Sequence, residues 1–246
     1  MKISIITVCY NSAATVEDTI RSVASQTYDN IEYIIVDGNS VDSTVDIIKK
    51  YPETVSHWIS EPDKGLYDAM NKGIAMATGD YVGILNSDDV FYEAQTIEKI
   101  ADFLRSNAVD ACTGDILQHR NRKILRKYSS KRWHPEKLKI GFMPPHPSIF
   151  LKRQLFDNLG VYIVGYKIAS DYELIIRYFL KHKITWKYSG VITTSMAMGG
   201  ASSSGLTSYR TITSEVGQAF TGNQIEYSPL KVKYRVVWKL IGFLQK

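Results

Sequence analysis

Aspartates recur in this chain at the ends of short apolar runs. Asp37 closes IIVD, Asp63 follows HWISEP, and Asp88 and Asp89 follow YVGILNS. A carboxylate there can cap a helix, hold a cation or contact a ligand. Two adjacent ones repel, and a divalent cation is the usual relief. A cap accounts for one of them, since Ile97, Ile100, Ala101 and Leu104 predict a helix beyond the pair. It does not account for both, nor for Asp37 and Asp63. Asp88 and Asp89 are therefore read as a metal site, with a helix cap the competing role for one of them. Further along, His146 is rigidly placed between Pro145 and Pro147, which suits a functional ring or a buried, satisfied one. Asp171 and Glu173 open a predicted helix behind Ser170, its expected N-cap. Acids there suit the helix dipole, which would lower the pKa of Asp171 and keep it ionised at neutral pH.

These residues need elements to position them. Apolar runs predict strands over Ile3–Cys9, Ile31–Val36, Val55–Ile59 and Tyr81–Leu85. Helical spacing links Val16, Ile20 and Val23, then Val45 and Ile48, then Leu66, Met70, Ile74 and Ala77. Gly79 stands where a helix C-terminus favours glycine. Strand and helix alternate at short intervals, which predicts a doubly wound, mostly parallel α/β sheet with helices on both faces. Ligands of such sheets bind outside the carboxyl ends of the strands, and an acid ending the second strand commonly meets a nucleotide's ribose or base. Residues 108–128 extend the sheet as mixed strands, and Ser148–Leu151 adds another.

Composition narrows the function classes. The chain has 246 residues, 44% apolar and 22% charged, as expected of a soluble globular protein. No apolar run is long enough to span a bilayer, and the opening MKISIITVCYN predicts a strand rather than a cleavable leader. Two cysteines in apolar contexts, Cys9 and Cys112, suggest buried thiols in a reducing, cytoplasmic setting. The net charge of +5 is uneven: His119–Lys139 holds nine Lys and Arg against Glu136 alone. The last twenty residues add five more and no acid. Two basic patches on an acidic body suit phosphorylated substrates, anionic lipid or nucleic acid. The basic residues are not interleaved with stacking aromatics, so no nucleic-acid partner is expected. No G-x-G-x-x-G follows the first strand and no P-loop occurs, which disfavours dinucleotide oxidoreductases and P-loop NTPases.

The stretches TVCYN (Thr7–Asn11), DGNS (Asp37–Ser40), EPDKG (Glu61–Gly65) and NSDD (Asn86–Asp89) come in the order and spacing of family 2 glycosyltransferases, which this chain resembles over about 200 residues. The resemblance implies the GT-A fold, a nucleotide-sugar donor (a UDP-sugar first among them), Mn2+ or Mg2+, and inversion at the anomeric carbon. Glu61–Asn71 is most similar to bacterial hexosyltransferases that build O-antigen, capsule or colanic acid. By that resemblance Asp37 contacts the base, Thr7 and Asn11 line the same cleft, and Asp63 and Lys64 border base and diphosphate. Asp88 matches the final acid of the family's D-x-D motif and binds the metal. Asn86 stands where that motif's first aspartate usually is. Asp171 matches the catalytic base, with Glu173 the fallback. His146 lies by the acceptor or diphosphate, and Gly199 and Gly200 belong to a Gly-Gly-x-Ser element that closes over the donor.

The implied organisation is a GT-A domain over 1–205, with a nucleotide-sugar half to about 107 and an acceptor half from about 108, then a helical extension over 206–246. On a helical wheel at about 100° per residue, Lys231, Arg235, Lys239 and Lys246 cluster opposite a broad apolar arc. That pattern suits either an interfacial helix or one docked on the domain. The resemblance implies a lipid-linked oligosaccharide acceptor, which would give the interfacial reading, with peripheral attachment at the inner face of the plasma membrane, a reason. The rival enzyme class, a sugar nucleotidyltransferase, wants a glycine- and arginine-rich loop after the first strand, and Tyr10–Thr15 offers none.

Overall fold

A computed structural model describes residues 1–120, 123–197 and 206–233. The elements run β1 (Ile3–Cys9), α1 (Val16–Ala24), β2 (Ile31–Asp37), α2 (Thr44–Ile48), β3 (His57–Ser60), α3 (Leu66–Met76), β4 (Tyr81–Ile84), β5 (Asp89–Phe91), α4 (Thr96–Asn107), β6 (Ala111–Arg120) and β7 (Lys123–Ser129). Then follow β8 (Ile149–Lys152), α5 (Gln154–Leu159), α6 (Ser170–Ile175), β9 (Trp186–Ala197), α7 (Leu206–Gly222) and α8 (Pro229–Lys233).

The apolar runs become strands because both faces of the sheet are covered. Side chains alternate across a strand, so a doubly covered strand must be apolar throughout. Ile6, Val8, Ile34 and Val36 join a core with Met70 and Ile74 of α3, Phe156 of α5, Leu174 of α6 and Phe220 of α7. Ile3, Ile5, Tyr33 and Ile35 join a second core with Val16 and Ile20 of α1, Ile48 of α2, and Ile100 and Leu104 of α4.

The strand order is β3-β2-β1-β4-β8-β6-β9-β5, with β7 paired to β6. β3, β2, β1 and β4 are mutually parallel. The sheet then becomes mixed: β8 is antiparallel to both β4 and β6, β9 is parallel to β6, and β5 is antiparallel to β9. Register sets the site. Cys9 lies beside Asp37 and Asp37 beside Ser60, so three strands end level.

Several local expectations are corrected. Gly79 is not a left-handed helix cap. A Cβ there would lie 2.8 Å from the Ser4 backbone nitrogen, so close packing on β1 requires the glycine. Leu66, expected on the buried face of α3, is exposed, and Tyr67 is buried instead. Helix α4 starts at Thr96, too far along the chain for Asp88 or Asp89 to cap it. Ser170 does not cap α6: Ala169 occupies the N-cap position, and the Ser170 hydroxyl donates to the Ile163 carbonyl at 2.9 Å. The helix continues past Ile175 as a π-helix over Ile176–Lys181.

Helix α7 shares the first core through Val216, Ala219 and Phe220, all fully buried. Burying a large apolar side chain contributes roughly 1.5–3 kcal/mol, so this helix is docked on the domain. Gly199, Gly200 and the tail 234–246 lie outside the described residues, and with them the proposed lid and most of the amphipathic segment. Among the described residues no helix is long and apolar enough to cross a membrane. Cys9 and Cys112 are buried free thiols.

Candidate active site

Four loops gather at the carboxyl ends of β1–β4. Asn11, at φ 49°, accepts from the Val41 N–H through Oδ1 at 3.0 Å, and its own N–H donates to Ser40 Oγ at 2.7 Å. The Ser12 and Ser87 hydroxyls meet at 3.0 Å, tying the loop after β1 to the loop after β4. A Cβ on Gly38 would stand 2.5 Å from Asp63 Oδ2, so the loop after β2 closes on Asp63 only because residue 38 is glycine. Asp63 in turn accepts from the Gly65 N–H at 2.7 Å, and Gly65, at φ 108°, turns the chain into α3.

Two expected contacts are buried. Thr7 is enclosed in the sheet: its hydroxyl donates to the Leu85 carbonyl at 2.7 Å and accepts from Tyr33 at 3.0 Å. It therefore does not line the cleft but ties the end of β4 to β1 and β2. Asp37 is also fully buried. One oxygen accepts from Ser40 Oγ at 2.5 Å, the other from the Ser40 N–H at 2.9 Å and from Ser60 Oγ at 2.6 Å. Asp37 is thus the hub that joins the loops after β2 and β3. Asn11, Lys64 and Asp88 are exposed, and Asp63 and Asn86 half-buried.

Asp88 and Asp89 part company. Asp88 is exposed, whereas Asp89 opens β5 with its carboxyl sealed inside and no hydrogen-bond partner of proper geometry on either oxygen. Burial, with the Asp88 charge beside it, pushes the Asp89 carboxyl well above the usual carboxylate range, and the nearby Asn86 side chain offsets only part of this. The reading of Asp89 as a metal ligand is corrected by its burial, since its oxygens do not reach the surface that Asp88 occupies. Among the described residues no three His, Cys, Asp or Glu side chains converge as a cation cage. Asp88 alone still fits a cation of the kind that takes one or two protein carboxylates and completes its shell with substrate phosphates and water.

A second cluster forms around Asp171. Its Oδ1 accepts from the Tyr172 N–H at 2.8 Å, and the Tyr67 hydroxyl stands 3.4 Å from the same oxygen. Tyr67 stacks on Tyr162 with ring centroids 5.7 Å apart, and the Tyr162 hydroxyl meets His146 Nε2 at 2.7 Å. Asn71 of α3 fixes Tyr162 from both sides, donating to its carbonyl at 2.8 Å and accepting from its N–H at 3.0 Å. Burial raises the Asp171 carboxyl above its ordinary value, against the lowering by His146 and by the Tyr172 and Tyr67 hydrogen bonds. The expected lowering by the helix dipole is therefore reversed. Desolvation of the charged form outweighs the N-terminus of α6. Burial also holds the His146 imidazole below its ordinary value. Glu173, the fallback base, is occupied: Arg177 donates to both its oxygens at 2.9 and 2.8 Å, and Asn223 to one at 2.9 Å.

Helix α3 joins the two clusters, with Lys64 and Gly65 at its start on the strand-end side and Tyr67 against Asp171. A cavity of about 270 Å³ opens there, lined by Lys64, Tyr67, Val164, Tyr166 and Lys167. A larger one of about 540 Å³ lies between α7 and α8, is lined by no acid, and stands apart from both clusters. Tyr67, Asn71 and Tyr162 join the Asp171 cluster without a sequence signal of their own. The period of α3 marks Tyr67 no more than Leu66, and Tyr162 follows Asn71 by 91 residues.

A parallel strand-end cleft continued by a mixed extension is the architecture of the GT-A class, as solved relatives show. Staphylococcus aureus TarS (residues 1–349, in complex with UDP-GlcNAc) superposes with a TM-score of 0.73 at 19% identity, over 92% of this chain and 68% of that one. The mannosyltransferase PcManGT from Pyrobaculum calidifontis, in complex with GDP-Man and Mn2+, gives 0.70 at 18% identity over 99% and 73%. In sequence, a PGL/p-HBAD biosynthesis glycosyltransferase of Mycobacterium bovis is 30% identical over 200 residues, 78% of this chain and 75% of the relative. Residues 4–172 match the family described as glycosyl transferase family 2. The chain belongs to that family and is a glycosyltransferase of it.

Proposed function

We propose that this chain moves a hexose from a nucleotide-diphosphate donor to a hydroxyl of a glycan acceptor, inverting the anomeric carbon. The observation that carries the reading is a half-buried carboxyl, Asp171, beside Tyr67 of α3, the helix that leads out of the loops gathered at the ends of the parallel strands, where Asp88 is exposed. Asn11, Asp63 and Lys64 border the base and diphosphate, Asn86 faces the ribose, and Asp37 holds the loops that form the base pocket. Asp88 and the donor's phosphates would hold Mn2+ or Mg2+, which supplies charge neutralisation of the departing diphosphate.

Asp171 takes the proton of the acceptor hydroxyl as that oxygen bonds to the anomeric carbon in line. The bond from that carbon to the diphosphate oxygen breaks in the same displacement, and the nucleoside diphosphate leaves. One displacement inverts the centre and needs no protein nucleophile. A raised pKa suits this role, because a base is most effective when its pKa lies nearer the working pH. His146 and Tyr162 then bound the acceptor side.

The acceptor in this reading is a polyprenyl-diphosphate-linked oligosaccharide of bacterial surface polysaccharide synthesis (O-antigen, capsule or colanic acid), met by a cytoplasmic enzyme at the inner face of the plasma membrane. The basic run His119–Lys139 supports an anionic acceptor of that kind. The relationship to a PGL/p-HBAD biosynthesis enzyme supports a second reading, with an acceptor of that type in its place. The test is Asp171→Asn assayed with UDP-GlcNAc and GDP-mannose. Transfer should fall about 10²- to 10⁴-fold while donor affinity holds, and NMR of the wild-type product should show the inverted anomer. A retained anomer, or wild-type transfer by the variant, contradicts the proposal.

A further inference from the structure

Glu215 lies on α7, away from the cleft, and is buried. Its carboxylate accepts three successive backbone N–H groups: Lys167 at 2.7 Å, Ile168 at 3.0 Å and Ala169 at 2.9 Å. Among the described residues no lysine, arginine or histidine forms an ion pair with it, so its charge is met by backbone dipoles. Ala169 is the N-cap residue of α6, and its carbonyl accepts the Glu173 N–H at 3.0 Å. The Ile168 carbonyl accepts the Tyr67 hydroxyl at 2.5 Å. The peptide two residues ahead of Asp171 is therefore gripped from one side by α7 and from the other by α3.

We infer that Glu215 is a positioning residue, which fixes the 167–169 loop and thereby the placement of Asp171 for proton transfer. The inference rests on the reading of Asp171 as the base. Its physical ground is the anchoring of both ends of the clamp. Val216, Ala219 and Phe220 seat α7 in the core, and Asn223 at its end donates to Glu173 of α6 at 2.9 Å. Ahead of the clamp, Val161, Ile163 and Val164 carry exposed side chains, and Asn71 and Ser170 hold the backbone of Tyr162 and Ile163. Without the carboxylate, three adjacent donors at the head of α6 lose their acceptor and the loop can drift. A drift of about 1 Å at a reacting group costs about 100-fold in rate. The C-terminal helix is on this account part of the base's support.

The test is Glu215→Gln, which keeps the shape but removes the charge and turns an amide N–H₂ toward a backbone donor. Amide exchange over 167–173 should quicken while that over 60–70 stays as in the wild type. On UDP-GlcNAc or GDP-mannose with Mn2+, kcat should fall about 10- to 100-fold with donor affinity within about 2-fold. Glu215→Asp, which retains the charge one methylene short, should recover part of the loss, and it carries both readouts should the Gln variant not fold. Unchanged exchange, or wild-type kcat with a loosened loop, overturns the inference. Asp171→Asn run in parallel separates the two ideas: full activity there sinks the base reading, while the exchange data still judge the clamp.

Discussion

The Tyr67 hydroxyl donates to the Ile168 carbonyl at 2.5 Å and stands 3.4 Å from Asp171 Oδ1, joining α3 to α6 across 104 residues of chain. One proton cannot serve both oxygens well, so the short bond is structural and the longer approach is electrostatic. The same residue thus helps hold the loop and eases the charge on the carboxylate.

Tyr67→Phe separates those effects. Losing the hydroxyl leaves the Ile168 carbonyl without this partner, a loss of about 1–2 kcal/mol in stability. It also removes a group that lowers the Asp171 pKa. In the proposed role Asp171 must be ionised to take the proton, so the acidic limb of the kcat profile should move to higher pH in the variant. An unmoved limb would detach Tyr67 from the base.

Gly38→Ala tests the strand-end loops. The new Cβ lies 2.5 Å from Asp63 Oδ2, the end of a side chain that can swing aside. Stability should change little, while donor affinity falls about 10-fold, or about 1.4 kcal/mol, because Asp63 leaves its place. Calorimetry with UDP and GDP reads both arms.

Glu173 gives the contrasting case to Asp171. Two residues away, it is bound by Arg177 and Asn223 rather than poised for chemistry. Glu173→Ala leaves a nearly buried guanidinium without its partner and should cost about 3–5 kcal/mol of stability. Its kcat per folded molecule, measured below the melting transition, should fall far less than that of Asp171→Asn, by no more than the loosened Asn223 anchor accounts for. A loss of kcat as large as that expected of Asp171→Asn, with Asp171→Asn active, would move the base from Asp171 to Glu173.

Glu32 sets an acid limit on the fold. Burial raises its carboxyl, but hydrogen bonds from Lys2, Ser4 and Thr78 outweigh this and bring it down to about 2 from 4.5. The folded-state pKa is the lower one, so the stabilisation is complete above about pH 4.5 and is lost as pH falls toward 2. Melting temperature should drop across that window in the wild type and much less in Glu32→Gln.

Much of this was legible in the sequence, for stated reasons. The runs of β1, β2 and β4 stand out because both their faces are buried. Asp88 was placed by the end of a strand that is apolar throughout. What escaped was set by distant partners. β9, WKYSGVITTSMA, is polar and half-exposed along much of its length, and β5 is three residues long, so neither carries a periodic signal. The burial of Asp37 depends on Ser60 of a neighbouring strand. The pKa of Asp171 runs opposite to the sequence expectation, because the burial that raises it is made by distant residues, among them Tyr67 and Tyr162, that close around it only in the fold. Asp89, adjacent to Asp88, points inward, a difference that two identical letters do not express.

The central claim is a donor site built on Asp88. It is tested most directly by measuring binding and hydrolysis of UDP-, GDP- and dTDP-sugars, with Mn2+ or EDTA, by the wild type and Asp88→Ala. The account predicts that at least one donor binds in the presence of Mn2+, that EDTA abolishes the interaction, and that Asp88→Ala loses it while remaining folded. Metal-independent binding that survives in Asp88→Ala, or no interaction with any nucleotide sugar, would contradict it.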